Sequence, residues 1–389
     1  MEKKFQFIQE ALQQREEKKQ LRSLGEVTPL QGVKVLVDGK QKINFSSNDF
    51  LGLANDSRLQ KRAIEFIQQY GTGSTASRLI CGSYPCHEKV EQKLAELKET
   101  ESALLLNGGY QANVSILATL ADRNSLVLAD RLNHNSLVQG AILSRAKVRR
   151  FRHNNLQHLR KLLEKIDLKQ YSRIFIVTES IFSMDGDQAD IDALITLAEE
   201  FDAFLIVDEA HATGVIGKNG MGMTTGKRVD LAIGTFGKAF GSFGAYVACS
   251  QKIAEYLVNF CGGFIYTTAP SPAVVGAIDA ALDCIPAMNQ EREHLQQNSD
   301  FLRRELNQIG FDTVNSSTQI IPVVVGEEKE ALDLADYLLT DGFLAMAIRP
   351  PTVAQGQARI RLSLSSLHTQ EQVKQLIEIF RSWRAKSYV

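Results

Sequence analysis

The chain has 389 residues, 44% of them hydrophobic, enough to bury a large core and to divide into about two domains. Its 44 basic and 45 acidic side chains leave a formal net charge of -1, so no overall field recruits nucleic acid or an anionic membrane, and small-molecule chemistry is expected. Five scattered cysteines (Cys81, Cys86, Cys249, Cys261 and Cys284), an odd number in a chain too long to need disulfide staples, point to a reducing cytoplasm. The charged N-terminal segment lacks the apolar core of a signal peptide, and no apolar run approaches the roughly 20 residues of a membrane span.

Residues 5–24 place Phe5, Ile8, Leu12, Leu21 and Leu24 at broadly helical spacing, which predicts an amphipathic helix. An apolar run over 33–37, then Asp38-Gly39, then Ile43 and Phe45, predicts a hairpin closed by a type I′ turn. From about residue 57, periodic helical segments alternate with short β-rich runs at 103–106, 126–129, 148–151, 174–178, 204–207, 231–233 and 245–248. That alternation predicts an α/β fold with a mostly parallel sheet wrapped by helices. A helix over 290–306, strand 320–325, helix 329–340, strand 358–364 and a last helix from about Thr369 predict a smaller α+β domain. The expected division is an N-terminal helix and hairpin over 1–48, a large α/β domain over 49–288, and a small domain over 289–389.

Ligands of such sheets sit at the carboxyl ends of the strands, so polar residues that close apolar runs are the candidates. They are Asn107-Gly108-Gly109, Asp130, Glu179, Asp208-Glu209-Ala210-His211 and Thr235-Phe236-Gly237-Lys238. Asp208 and His211 alone read first as a helix cap with a packed histidine, ahead of a metal pair, for which no further ligands stand at suitable spacing. Lys238 lies between Gly234 and Gly244 in a stretch of glycine, alanine, aromatic and small polar residues. It is either a loop surface residue or a partly desolvated amine, with lowered pKa and raised nucleophilicity toward an aldehyde. Gly108-Gly109 ahead of a helical segment is either a plain turn or an anion-binding helix start. Gly71-x-Gly73 follows a helix and not a strand, which excludes a dinucleotide fingerprint. Cys81, Cys86 and His87 lack a fourth metal ligand and read as core residues and a helix start. The basic cluster Arg145, Lys147, Arg149, Arg150, Arg152 and His153 reads as a solvated, charge-protected sheet edge, or as a patch that attracts phosphates or an acidic protein.

Six segments together resemble the α-oxoamine synthases among the fold-type I pyridoxal phosphate enzymes. They are Asn44-Phe-Ser-Ser-Asn-Asp-Phe-Leu-Gly-Leu53, Asp130-Arg-Leu-Asn-His134, Thr178-Glu-Ser-Ile-Phe-Ser-Met-Asp-Gly-Asp187, Val207-Asp-Glu-Ala-His-Ala-Thr-Gly214, Thr235-Phe-Gly-Lys-Ala-Phe-Gly241 and Ile348-Arg-Pro-Pro-Thr-Val353. The resemblance runs from the N-terminal helix to about His368 and implies pyridoxal 5'-phosphate as cofactor, with no metal. It implies that Lys238 bonds to the cofactor and later acts as base, that Asp208 partners the ring nitrogen, that His211 bonds the ring hydroxyl oxygen, and that His134 stacks on the ring. Gly109, Tyr110, Ser183 and Thr235 match cofactor contacts, and Thr267 and Thr268 match contacts to the phosphate of a neighbouring subunit in a homodimer. Arg361 matches the clamp on the amino-acid carboxylate, with Arg359 on the same strand face as the competitor. Arg22, Asn48 and Thr352 match positions near the acyl substrate. The implied reaction joins L-alanine to a pimeloyl thioester, on coenzyme A or an acyl carrier protein, with loss of carbon dioxide, as in biotin biosynthesis. A glycine acetyltransferase, other synthases of the family, an aminotransferase and a non-catalytic cofactor-binding regulator are the alternatives. The chain departs from many relatives at Asn135, Asp190 and Ser271 without losing any of these groups.

Overall fold

The computed structural model describes residues 3–386 and divides into two compact units. One comprises Asn48–Ser183 and Asp187–Glu293; the other comprises Met1–Ser47, Met184–Gly186 and His294–Val389.

The first unit is built on a seven-stranded sheet. Its order is Ser102–Leu106, Ala245–Cys249, Leu231–Thr235, Phe204–Asp208, Arg173–Glu179, Ser125–Asp130 and Lys147–Phe151. All neighbours pair in parallel except Ala245–Cys249, which runs antiparallel to the strands on both sides. The central strands are near-continuous apolar runs because both faces are covered. Val127, Val177, Ile206 and Ile233 enter one core layer with the helix Gly109–Leu120. Leu126, Leu128, Ile176, Leu205 and Val207 enter the other, with the helices Leu156–Lys165 and Ile191–Glu200. This is the α/β architecture that the strand and helix alternation predicts. Among the described residues, no helix is long and apolar enough to cross a membrane.

The second unit contains the expected hairpin, Lys34–Val37 against Lys40–Asn44, turned by Asp38 and Gly39 with φ of 48° and 70° as a type I′ turn requires. Two short strands of this hairpin's sheet escape the periodicity reading. Val27–Pro29 extends the hairpin, and Phe343–Leu344 adds to it in parallel, so the N-terminal hairpin shares a sheet with a C-terminal segment. A further three-stranded sheet orders Ile320–Gly326, Ala358–Ser363 and Met346–Ile348, covered by helices that include Glu328–Thr340 and Gln370–Lys386. The N-terminal helix is shorter than the spacing predicts, Gln6–Glu17, and buries none of its residues. Lys19, at φ 52°, turns the chain out of it.

Two buried polar features fix these units. In the first, Lys98 and Glu209 form an ion pair with side chains 1% and 0% exposed. Lys98 Nζ also donates to the Met221 carbonyl at 2.7 Å, and Glu209 Oε1 accepts from the Thr224 backbone N–H at 2.9 Å. In the second, His368 is buried and stacks on Phe45 at 4.0 Å. Its Nδ1 accepts from Ser365 N, leaving Nε2–H to donate to the Asn44 carbonyl at 3.1 Å.

Replacing Lys98 with Met strands the Glu209 carboxylate and is expected to cost about 3–5 kcal/mol in urea unfolding, with a Lys98→Met/Glu209→Gln double variant recovering part of the loss. Burial drives the His368 pKa down from 6.5 to about 4. The unfolded chain therefore takes up a proton before the folded one does. Stability should be fully present above about pH 6.5 and fall toward pH 4, by on the order of 3 kcal/mol from this residue, and a His368→Gln variant should lose that part of the slope.

Candidate active site

Three neighbouring strands end in acids at the same edge of the large sheet: Asp130, Glu179 and Asp208, with Glu179 paired opposite Asp208. The next strand ends at Thr235 and leads into the loop that carries Lys238. Each of these side chains is thus delivered by a buried strand to one rim.

The lysine loop is a tight connection between Leu231–Thr235 and the antiparallel Ala245–Cys249. Phe236 N donates to Gly244 O at 2.9 Å, Ser242 N to Phe236 O at 2.9 Å, and Gly241 N to Lys238 O at 2.9 Å. Gly241 has φ 61°, and a Cβ there would lie 2.4 Å from the backbone of Leu53 and Ala54, so only glycine permits the loop to close on the segment Leu53–Asn55. The half-buried Lys238 places Nζ 2.9 Å from His211 Nε2. Thr235 Oγ1 donates to Gly244 O and accepts from Gly237 N, tying the strand end to the loop.

Asp208 is 5% exposed, and its oxygens are held by donors on two sides: Ala210 N at 2.8 Å to Oδ1 and Asn113 Nδ2 at 2.6 Å to Oδ2. His211 follows on the same turn, with the Phe50 ring 6.0 Å from its own. The adjoining Glu209 points the other way, to Lys98. Glu179 accepts the His134 backbone N–H at 2.5 Å, and burial, aided by the Asp208 charge, pushes its carboxyl well above the usual range, favouring the neutral acid. His134 meets the edge of the Tyr110 ring at 6.5 Å, and desolvation outweighs the pull of Asp208 to lower its imidazole pKa. The helix Gly109–Leu120 starts beside Thr235 with no side-chain cap on Gly108, and a Cβ at Gly109 would meet Thr235 at 3.7 Å. Asn107 donates to Thr267 Oγ1 at 2.8 Å and to the Thr268 carbonyl at 2.7 Å.

Uncapped helix amides, a buried carboxylate, a loop amine and an imidazole face form a donor set suited to a phosphorylated pyridine aldehyde. Ser183 and Asn48 also belong to this unit, half-buried. Arg22, Thr352, Arg359 and Arg361 belong to the other. There Arg359 is committed to Asp185 by an ion pair, and to the Gln357 carbonyl at 3.0 Å. Arg361, 7% exposed, donates to Ser363 Oγ at 2.8 Å, and burial draws its pKa down to about 10. Arg22 Nη2 donates to Thr352 Oγ1 at 2.9 Å on a recess of about 240 Å³ that Arg349 also lines.

Sequence reasoning missed Asn113 and Ser136. The available signal was an amide on the buried face of an apolar helix. The departures have local roles: Asn135 Oδ1 accepts from the Tyr110 hydroxyl at 3.2 Å, and Asp190 caps the helix Ile191–Glu200 through Ala193 N at 3.0 Å. His87 uses one ring nitrogen on Tyr84 N and the other on the Pro270 carbonyl, as a helix-start residue does. In the basic cluster, Arg145, Lys147, Arg149, Arg150 and Arg152 are exposed on and around the edge strand Lys147–Phe151. His153 instead turns in between Asp130 and Asp187, whose hydrogen bonds overcome its burial and hold its pKa up to about 10.

The sequence pattern of the family "Aminotransferase class I and II" matches residues 40–380. The 8-amino-7-oxononanoate synthase of Gluconacetobacter diazotrophicus is 47% identical over 379 residues, covering 95% of each chain. Among solved structures, the 8-amino-7-oxononanoate synthase of Francisella tularensis superposes with a TM-score of 0.77 at 30% identity, over 90% of this chain and 99% of its own. A lysine-to-alanine variant of serine palmitoyltransferase from S. paucimobilis, solved with a bound PLP–myriocin aldimine, superposes with a TM-score of 0.91 at 26% identity over 99% of both chains. The chain therefore belongs to the α-oxoamine synthases, within the aminotransferase class I and II family of fold-type I pyridoxal phosphate enzymes.

Proposed function

We propose that the chain is a pyridoxal phosphate-dependent, decarboxylating acyltransferase that condenses L-alanine with a pimeloyl thioester to give 8-amino-7-oxononanoate, carbon dioxide and free thiol, as in biotin biosynthesis. The observation that carries the chemistry is the Lys238 amine 2.9 Å from His211, on the loop next to the strand end that bears Asp208. The choice of substrates rests on the near full-length likeness to synthases of that name.

When bound, the cofactor supplies an aldehyde for the amine and an electron-withdrawing ring that lowers the cost of negative charge at the amino acid's α-carbon. The residues of the chain do the rest. Asp208, already braced by two donors, would hold a proton at the ring nitrogen. His211 would fix the ring hydroxyl oxygen and His134 would cover the ring face, with Tyr110 supporting His134. The first amides of the helix from Gly109, with Ser183 and Thr235, would take the phosphate. Lys238 Nζ would hold the cofactor until the alanine amine displaces it, and the freed amine would then accept the α-proton and return a proton after carbon dioxide leaves. Arg361 clamps the alanine carboxylate, a reading supported by the commitment of Arg359 to Asp185. Arg22, Asn48 and Thr352 serve the acyl group.

Two further assignments complete the reading. Leu79, Ile80, Ile142, Leu143, Phe243 and Tyr266 are exposed apolar residues of the large unit, which suits burial in a homodimer where Thr267 and Thr268 reach the partner's phosphate site. The five cysteine thiols are all free, as suits a reducing cytoplasm.

Borohydride reduction of the cofactor-loaded enzyme followed by peptide mass mapping should label Lys238, and label on another lysine would defeat the assignment. Lys238→Ala should lower turnover of alanine and pimeloyl thioester by roughly 10²–10⁴-fold. No product from the unaltered, cofactor-loaded enzyme would refute the function. If the thioester arrives on an acidic carrier protein, Arg149→Glu/Arg150→Glu should raise KM for the carrier-bound substrate roughly tenfold and spare the coenzyme A thioester. Equal KM values before and after the change would remove the patch from substrate recruitment.

A further inference from the structure

Asn113 sits one helical turn after Gly109, 2% exposed, among Ala112, Ile116 and Leu117, where an apolar residue would be the ordinary choice. Its Nδ2 lies between two acceptors, Asp208 Oδ2 at 2.6 Å and Ser136 Oγ at 2.9 Å. The orientation of the amide is dictated by Asp208, since turning it over would set Oδ1 against a carboxylate oxygen. In this orientation Asn113 Oδ1 is buried without a hydrogen-bond partner among the described residues. Such an orphan is expensive, and its retention points to a task for the two donor hydrogens on the other side of the amide.

The hydrogen bonds beyond Asn113 have a fixed direction. Ser136 Oγ accepts from Asn113, so its own hydrogen is available to His134 Nδ1 at 2.7 Å. The Ser136 backbone N–H also points to His134 Nδ1, at 3.3 Å, which makes His134 the cap of the helix Asn135–Leu143. Because a backbone N–H cannot accept, Nδ1 must be the bare nitrogen of the ring. The ring hydrogen is therefore on Nε2.

We infer that Asn113 and Ser136 are positioning residues that brace Asp208 and, through the same chain of hydrogen bonds, hold His134 as the neutral Nε2–H tautomer. The inference rests on the cofactor-site reading of Asp208 and His134 given above. A neutral His134 adds no positive charge beside the Lys238 amine, and it presents a hydrogen-bond donor on Nε2. Around His134 stand the charged or titratable groups Asp208, Lys238 and Glu179, with Tyr110 at its edge. Of these, Asp208 is the one the chain reaches, through Asn113. A change at Asn113, which does not touch His134, should thus be felt at the imidazole.

The test is long-range ¹H–¹⁵N spectroscopy of histidine-labelled, cofactor-loaded enzyme across a pH titration, with thermal unfolding as the check on folding. The native enzyme should show His134 with a bare Nδ1 and a protonated Nε2. Ser136→Ala removes a donor to the bare nitrogen and should raise the His134 midpoint by about half a pH unit or more, whereas Ser136→Thr, which keeps the hydroxyl, should restore it. Asn113→Ala should move both the His134 midpoint and the pH at which the absorbance of the bound cofactor changes. A hydrogen on Nδ1 in the native enzyme overturns the inference. So do folded Ser136→Ala and Asn113→Ala variants that leave the His134 signals in place. Should a variant not fold, the native tautomer and the Ser136→Thr titration still decide. The predicted tautomer in an enzyme that makes no product from alanine and pimeloyl thioester would support the inference while the proposed function fails.

Discussion

A carboxylate at the end of a strand with apolar layers on both faces must find donors where water is scarce, and the site is arranged around that demand at Asp208. Ala210 N and Asn113 Nδ2 meet it from opposite sides. The Asn113 amide then orients Ser136, and Ser136 orients His134. Glu179, on the adjacent strand and next to the same charge, is driven toward its neutral form and takes the backbone of His134. Glu209, one residue along, points away and would be a second stranded charge without Lys98. Adjacent acids at one strand end thus differ in purpose: Asp208 is the candidate to face a ligand, and Glu209 anchors the scaffold beneath it.

Much of this was legible in the sequence because the large sheet is buried on both faces. Its strands read as apolar runs ended by Asp130, Glu179, Asp208 and Thr235, and the observed strands extend each expected run by only a residue or two. The hairpin was legible through Asp38-Gly39. Val27–Pro29, Phe343–Leu344 and Met346–Ile348 were not, since strands of two or three residues carry no period and are set by tertiary pairing. The N-terminal helix was over-extended because Leu21 and Leu24 continue an apolar spacing that the backbone abandons after Glu17.

Within the candidate site, the residues proposed to touch a ligand were easier to find than the residues that brace them. Lys238, Asp208, His211 and His134 stand in dense local motifs. Asn113 is distant from Asp208 in sequence and becomes its neighbour only when the helix Gly109–Leu120 packs across the sheet. The choice between Arg359 and Arg361 shows the same limit. Both face one side of one strand, and only the ion pair to Asp185 separates a structural guanidinium from a candidate for ligand binding.

The reversed strand Ala245–Cys249 has a mechanical meaning. A parallel partner would require a long crossover after Thr235, and the lysine would ride on whatever that excursion allowed. Reversal makes residues 236–244 a short return whose two ends are both stitched into the sheet. The backbone under Lys238 is therefore a fixed pivot. Any travel of the amine between the two duties proposed for it must come from rotation about the bonds of its own four-carbon stem, so its range is set by side-chain length and not by loop motion.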